Sequence, residues 1–402
     1  MIKKLNPYID LRTIKLFLWS AFCISILLST LMLIFINKDY LSVAGDFISY
    51  YVGGSIIARG MGADIYNLSL QYSQQLKITG AGVSDWVLPF RGLPIVALLY
   101  VPLTFISFTN SYVVFVILNV IVLLFIIFLL FKQMESTRKT PQFFLIPFLF
   151  IPILQTLWMG QLSIILCLIL LTIYIFLKTE KSFWVGFFTS FVLIKAQYLL
   201  VIPFIFLIEK NKKEFVKGLS FSLAFIIIIS IFVSGVRALL TYPTFLQITE
   251  TPEFGSRINE VLSLNAAIHA FLPTNSKTLS LIVSGVLYLI LLALYFFRRK
   301  IIGFEKSYIV TVLLALVFPI HILPFDYSLL IIPIFILIES YLKERRNSRK
   351  FYLIYIVLLL FVPLLGYFAV RHVVPLFLLL SSLHLLLENR PENIRYLDSN
   401  NE

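Results

Sequence analysis

The chain has 402 residues, of which 60% are hydrophobic and 13% charged, with a mean hydropathy of +0.96 and a formal net charge of +13. No soluble core of this size needs so much apolar surface, so lipid must be the solvent for most of it. The basic residues are shared out among short loops between apolar runs rather than gathered on one soluble face, which excludes nucleic acid as a partner.

The first apolar run, about 14–36, is too long for the core of a signal peptide and has no small-residue cleavage site behind it, so it is expected to remain as a helix. Further spans are expected at about 111–131, 142–158, 162–177, 183–194, 197–208, 217–234, 278–297, 308–320, 327–342, 351–369 and 373–387. This makes an all-α polytopic protein of about twelve transmembrane helices in a single integral membrane domain, 1–402. The N-terminus and alternate loops hold 24 of the 33 Lys and Arg residues, so both termini are expected in the cytoplasm. The same excess suits contact with anionic membrane lipids. Residues 37–110 then form an external loop with interfacial helices, and 235–277 a second external loop.

Two segments test this topology. Gly92–Phe108 is apolar enough to cross, but a crossing would put the basic loop Lys132–Lys139 outside and invert every later loop. It is therefore expected to lie in the outer interface. Phe183–Ile208, taken as one helix, would put Lys210, Lys212, Lys213 and Lys217 outside; two short arms meeting at Lys195-Ala196-Gln197 keep them inside. Such short arms survive only beside a wet, protein-lined cavity.

Chemistry is expected on the outer face. Asp46, in Gly45-Asp46-Phe47-Ile48-Ser49-Tyr50-Tyr51, follows the first span and opens an amphipathic stretch ending near Arg59. It reads as an N-cap, as a general base tuned by low dielectric and nearby charge, or as both, since an Asp can do both. Lys195 lies mid-span, where an ammonium is costly and usually has a partner, here an anion, unless it snorkels. Arg91 is a phosphate ligand or an interfacial anchor. Gln161, after Gly160, can hydrogen-bond a hydroxylated ligand or tie down its loop. His321 and Asp326 flank a Pro-rich external corner on the same side as Asp46. Asn265 and His269, four apart, share a helical face and are candidate ligand contacts. Asp39 and Asp46, seven apart, also share a face, but nothing else suggests a metal. Cys23 and Cys167 read as packing residues. There is no phosphate-binding Gly loop, HExxH or CxxC motif, and no cofactor is expected.

Taken in order, the first span, Gly-Asp-Phe-x-x-Tyr-Tyr, Ile65-Tyr66 and the Pro-Phe-x-x-Leu-Pro outer helix resemble the membrane glycosyltransferases of the GT-C fold. The resemblance is to the polyprenol-phosphate-mannose-dependent mannosyltransferases of glycosyltransferase family 87. Gly160-Gln161, Gly186 followed by Lys195, and the late Pro-x-His…Asp corner extend it over about 10–390. The family often has Lys-Pro in the short-helix pair, where this chain has Lys195-Ala196-Gln197, and the 235–277 loop matches poorly. The resemblance implies a polyprenyl-phosphate-sugar donor, a lipid or glycan acceptor, and inverting transfer of mannose or another hexose outside a bacterial cytoplasmic membrane. It also implies Asp46 as catalytic base and Lys195 at the donor phosphate, with Arg91 and His321 as further carry-overs. A polymerase or ligase of lipid-linked polysaccharide, and a transporter or flippase, are the competing readings; the lack of an internal repeat weighs against the last.

Overall fold

The computed structural model describes residues 19–20, 45–80, 87–254, 258, 260–272, 276–343, 349–368 and 371–388. The first span (bar Trp19 and Ser20), Cys23, Asp39 and Asp85 lie outside the described residues, among which every regular element is helical.

The region expected to be external begins, within the described residues, with α1 (Phe47–Ala58) and α2 (Leu68–Thr79), followed by α3 (Pro94–Tyr100), which a 3-10 turn extends to Phe105. The twelve residues 94–105 rise only about 18 Å as a helix, too short to cross a bilayer unaided. The expected amphipathic stretch after Asp46 is instead buried along most of its length. Phe47, Ile48, Val52 and Ile56 of α1 pack with Phe90, Val96, Tyr100 and Phe115 in an outer cluster that closes over the helix.

Within the described residues the expected apolar segments form helices, with lengths that hydropathy did not anticipate. Phe108–Gln133 (α4), Lys212–Thr249, Lys277–Ile302 and Pro324–Lys343 are long and apolar enough to cross a bilayer unaided. Pro141–Leu149 and Ile151–Met159 (α5), bent by 49°, add a fifth if counted as one span. The remainder, including α6 (Ser163–Lys178), are shorter apolar helices. Phe304–Val317 is buried from Lys306 onward, and from Tyr308 on it is apolar except for Thr311, as expected of a helix at the centre of a bundle. Lys212–Thr249, by contrast, turns Ile228, Phe232 and Leu240 outward, a face suited to lipid.

The hairpin expected around Lys195 is present. α7 (Ser182–Ser190) passes through a 3-10 turn to Ile194; Lys195 is extended (φ −123, ψ 105), and a second 3-10 turn leads into α8 (Ile202–Ile208). The Ser182 hydroxyl, where the first arm begins, donates to Glu209 at 2.7 Å, where the second ends, and Lys210 pairs with Glu180 at 2.5 Å. Both ends of the segment therefore lie at one level, which a single span cannot do. The first arm packs on α9 (Lys212–Thr249) through glycine. A Cβ on Gly186 would stand 1.9 Å from the Phe215 carbonyl oxygen, and one on Gly218 1.9 Å from that of Phe183. The second external loop is not irregular throughout. Helix α9 runs past a break at Gly235 (φ 75, ψ 164) to Thr249, and α10 (Leu264–Phe271) follows.

Candidate active site

Asp46 occupies the N-cap position of α1, yet its side chain makes no capping hydrogen bond. The helix start is served instead by its backbone carbonyl, which accepts from the Ser49 hydroxyl at 2.8 Å. The carboxylate turns to Gln161, whose side-chain N–H donates to it, while the Tyr50 hydroxyl donates to the other side of that amide at 3.3 Å. Of the two sequence readings, capping is the one the geometry removes.

Backbone packing makes this contact. Gly160 ends α5 in the left-handed region (φ 65), and a Cβ there would lie 2.5 Å from Cβ of Phe47. The Asp46 amide donates to the Met159 carbonyl at 3.0 Å, and the Tyr112 hydroxyl donates to the Trp158 carbonyl at 2.6 Å. Glycine thus lets the turn press against the start of α1, which carries Gln161 to the carboxylate. Burial pushes the Asp46 carboxyl above its ordinary 3.8. The Gln161 bond and the positive charges of Lys195, His321 and Arg91 pull the other way, and burial outweighs them. Burial also raises the Tyr50 hydroxyl, helped by the charges of Asp46 and Asp326, so it stays protonated and able to donate.

Lys195 sits at the tip of the hairpin, where the break between two 3-10 turns aims it across the bundle. Its ammonium pairs with Asp326 at 2.6 Å and donates to the Ser163 hydroxyl at 3.2 Å, over the Phe325 ring at 4.6 Å. Asp326 is fully enclosed. It also accepts from Ser163 (3.1 Å), Gln197 (3.4 Å) and the Leu323 amide (3.1 Å). With its lone pairs so occupied, Asp326 holds Lys195 rather than reaching outward. An ammonium has three N–H donors; two are used among the described residues, which leaves one that could meet a ligand.

Arg91 is bound to the outer end of α9. Its guanidinium donates to the backbone carbonyls of Thr249 and Phe254 and to the Thr249 hydroxyl, and its Nε lies 3.9 Å from Glu250. Nη1 makes no hydrogen bond among the described residues. Burial lowers Arg91 from its ordinary value, opposed by Glu250, Asp46 and Tyr50, though a guanidinium remains cationic at neutral pH. His321 Nδ1 lies 3.2 Å from the other Glu250 oxygen. Four separate stretches of chain thus deliver Asp46, Arg91, Lys195 and His321 to one polar cluster. It lies where the outer core, which includes Leu162, meets the larger inner core, which includes Ile164.

A model of glycosyltransferase family 87 matches residues 93–333. The chain belongs to that family. No curated protein and no solved structure matched the chain. This family 87 protein is therefore a glycosyltransferase, an enzyme that takes a sugar donor and an acceptor, which sets aside the transport reading. The matched range includes Gln161, Lys195, Asn265, His269, His321 and Asp326. Asp46 and Arg91 precede it, so their place in the site rests on geometry.

Asn265 and His269 do lie on one face of α10, both buried, but neither makes a described contact with the Asp46 cluster. Their Oδ1 and Nδ1 atoms have no partner among the described residues. The sequence reading missed Tyr50, Ser163, Gln197 and Glu250. Ser163 and Gln197 each stand two residues from a chosen position, a signal that was available; nothing local marks Glu250. Cys167 is buried and donates to the Ser328 carbonyl at 3.2 Å, as a packing residue does.

Proposed function

We propose that this glycosyltransferase moves a hexose, such as mannose, from a polyprenyl-phosphate donor to a lipid or glycan acceptor on the extracytoplasmic face, inverting the anomeric centre. The observation that carries this reading is the Asp46 carboxylate, turned away from capping, raised in pKa by burial and close enough to feel the charges of Lys195 and Arg91. A raised pKa makes it a better proton acceptor for an acceptor hydroxyl. The acceptor O–H gives its proton to Asp46, and the oxygen attacks the anomeric carbon from the face opposite the phosphate. The bond from that carbon to the phosphate oxygen breaks, and the electron pair leaves with the polyprenyl phosphate. The remaining N–H of Lys195 and Nη1 of Arg91 then face the charge that develops on the departing oxygen.

A lipid-linked donor is favoured by what adjoins these cations. A wholly apolar groove of about 300 Å³ is walled by Leu93–Leu99 of the outer helix, Phe191–Ile194 of the hairpin and Phe225–Ile229 of α9. Its walls run to the residue before Lys195 and to within two residues of Arg91. An isoprenoid chain placed there would set its phosphate at both. The topology proposed is about twelve membrane-embedded helices with cytoplasmic termini, several too short to cross alone and supported by their neighbours.

Purified full-length protein in nanodiscs, given a panel of polyprenyl-phosphate sugars and sugar nucleotides, tests the proposal. Transfer from a polyprenyl-phosphate sugar with inversion, lost in Asp46→Asn, is the expected result. Transfer from a sugar nucleotide alone would overturn it.

A further inference from the structure

Tyr50 stands one helical turn after Asp46, on the same side of α1, so a side chain laid across the start of that helix can touch both. Gln161 is that side chain. Its amide N–H donates to the Asp46 carboxylate, and its amide oxygen accepts from the Tyr50 hydroxyl at 3.3 Å. The sense of the amide follows from these partners. An ionised carboxylate only accepts, so the amide nitrogen must face Asp46, and Tyr50, which can donate, takes the oxygen. Burial raises the Tyr50 hydroxyl and keeps it protonated for that bond. The Tyr50 ring stacks on Tyr100 at 5.1 Å and meets Phe90 edge to face at 6.1 Å. Gln161 is itself buried, and both polar atoms of its amide are engaged inside the protein.

We propose that Gln161 is a positioning residue of this glycosyltransferase, holding the Asp46 carboxylate rather than the sugar, with the Tyr50 hydroxyl bracing the far end of its amide. An N–H aimed at a carboxylate favours the charged form, which is the form able to take a proton from an acceptor hydroxyl. Burial works against that form, and the Gln161 bond is the largest of the influences that oppose it. The charges of Lys195, His321 and Arg91 act in the same direction from the hairpin, the Pro-rich corner and the first external loop. A substitution at Gln161 leaves all three in place and removes only the hydrogen bond. The inference rests on the reading of Asp46 as the base, and its test separates the two.

The test uses full-length protein in nanodiscs with aspartate labelled at its side-chain carboxyl carbon; the sequence has seven aspartates, and Asp46→Asn assigns the signal. Gln161→Met keeps the length of the side chain and removes the donor. It should move the Asp46 titration up by about one pH unit, the size expected for one lost hydrogen bond to a charged group. Tyr50→Phe should move it the same way by less, and should add nothing in the Gln161→Met background, because residues that act through one contact are non-additive. With polyprenyl-phosphate mannose as the probe donor, the acidic limb of the Gln161→Met rate profile should move up with the titration while KM stays near its wild-type value. An Asp46 titration that stays in place or moves down in Gln161→Met would overturn the proposal whether or not sugar transfer is measurable. So would a KM raised equally at every pH with the acidic limb unmoved, the mark of a contact to the sugar. If Gln161→Met does not fold, Gln161→Asn withdraws the N–H from Asp46 while keeping an amide, and the same upward movement is required of it. If Asp46→Asn is active in the same preparation, the base assignment fails instead, and the titration still decides the role of Gln161.

Discussion

Replacing Asp46 by Asn keeps the side chain's size and its ability to accept the Gln161 N–H, and no helix cap is lost because none is made. What disappears is the negative charge and the capacity to take a proton. Removing a positioned general base costs about 10²–10⁴-fold in rate, so turnover should fall by that factor while the donor still binds. Stability should move the other way. The folded-state pKa lies above the ordinary 3.8 because burial disfavours the charged form. The folded protein therefore holds the proton more tightly than the unfolded chain, and stability declines as pH rises from 3.8 through the folded-state value. Above that window the ionised carboxylate is a net cost, which Asn does not carry. Asp46→Asn should consequently unfold at a higher temperature than wild type at neutral pH, and the two should converge in acid, where Asp46 is protonated in both states. The acidic limb of the wild-type rate profile should likewise fall above pH 3.8. Thermal unfolding in detergent and sugar transfer on the same samples provide both readings. A variant that transfers sugar near the wild-type rate would refute the role as base. A variant that is inactive and also less stable at neutral pH would show Asp46 to be a structural anchor.

Lys195→Met leaves Asp326 buried without its cation, and breaking a buried pair in this way costs about 3–5 kcal/mol, so the single variant should be markedly less stable by thermal unfolding. Lys195→Met with Asp326→Asn should regain most of that stability but not the affinity for a polyprenyl-phosphate donor measured by titration. Ile229→Trp, set into the apolar groove, should raise KM for a long-chain donor and leave a short-chain soluble analogue almost unaffected; equal effects on both would remove the groove from the lipid path. Gly218→Ala brings a Cβ to 1.9 Å from the Phe183 carbonyl oxygen, and forcing these helices apart should cost about 1–3 kcal/mol, read as a lower unfolding temperature. Ser84→Cys should react with an impermeant maleimide in intact cells and Ser348→Cys should not; labelling of Ser348→Cys would invert the topology.

The apolar runs and the loop charges by themselves determined that the protein is helical and membrane-embedded, where most helices lie, and that Phe183–Ile208 must double back. These follow from local composition, because a hydrocarbon solvent and an asymmetric charge distribution constrain each segment separately. Asp46, Lys195 and His321 were also legible, since a charge or a lone histidine beside apolar sequence stands out without knowledge of its neighbours. Tertiary structure alone decided what those residues do with their side chains. Whether Asp46 caps its helix depended on Gly160 admitting Gln161 against it, a contact across 115 positions. That Asp326 is enclosed by four donors, from Ser163, Lys195, Gln197 and its own turn, was likewise decided by the fold. Glu250 had no sequence signal because a glutamate at a helix end is unremarkable until the fold brings Arg91 and His321 to its two oxygens. Hydropathy marked where the helices lie but not their lengths, since it measures how apolar a segment is: the expected 217–234 is only part of Lys212–Thr249. Where a helix such as Phe304–Val317 is sheathed by other helices, its length is set by them and not by the thickness of the bilayer.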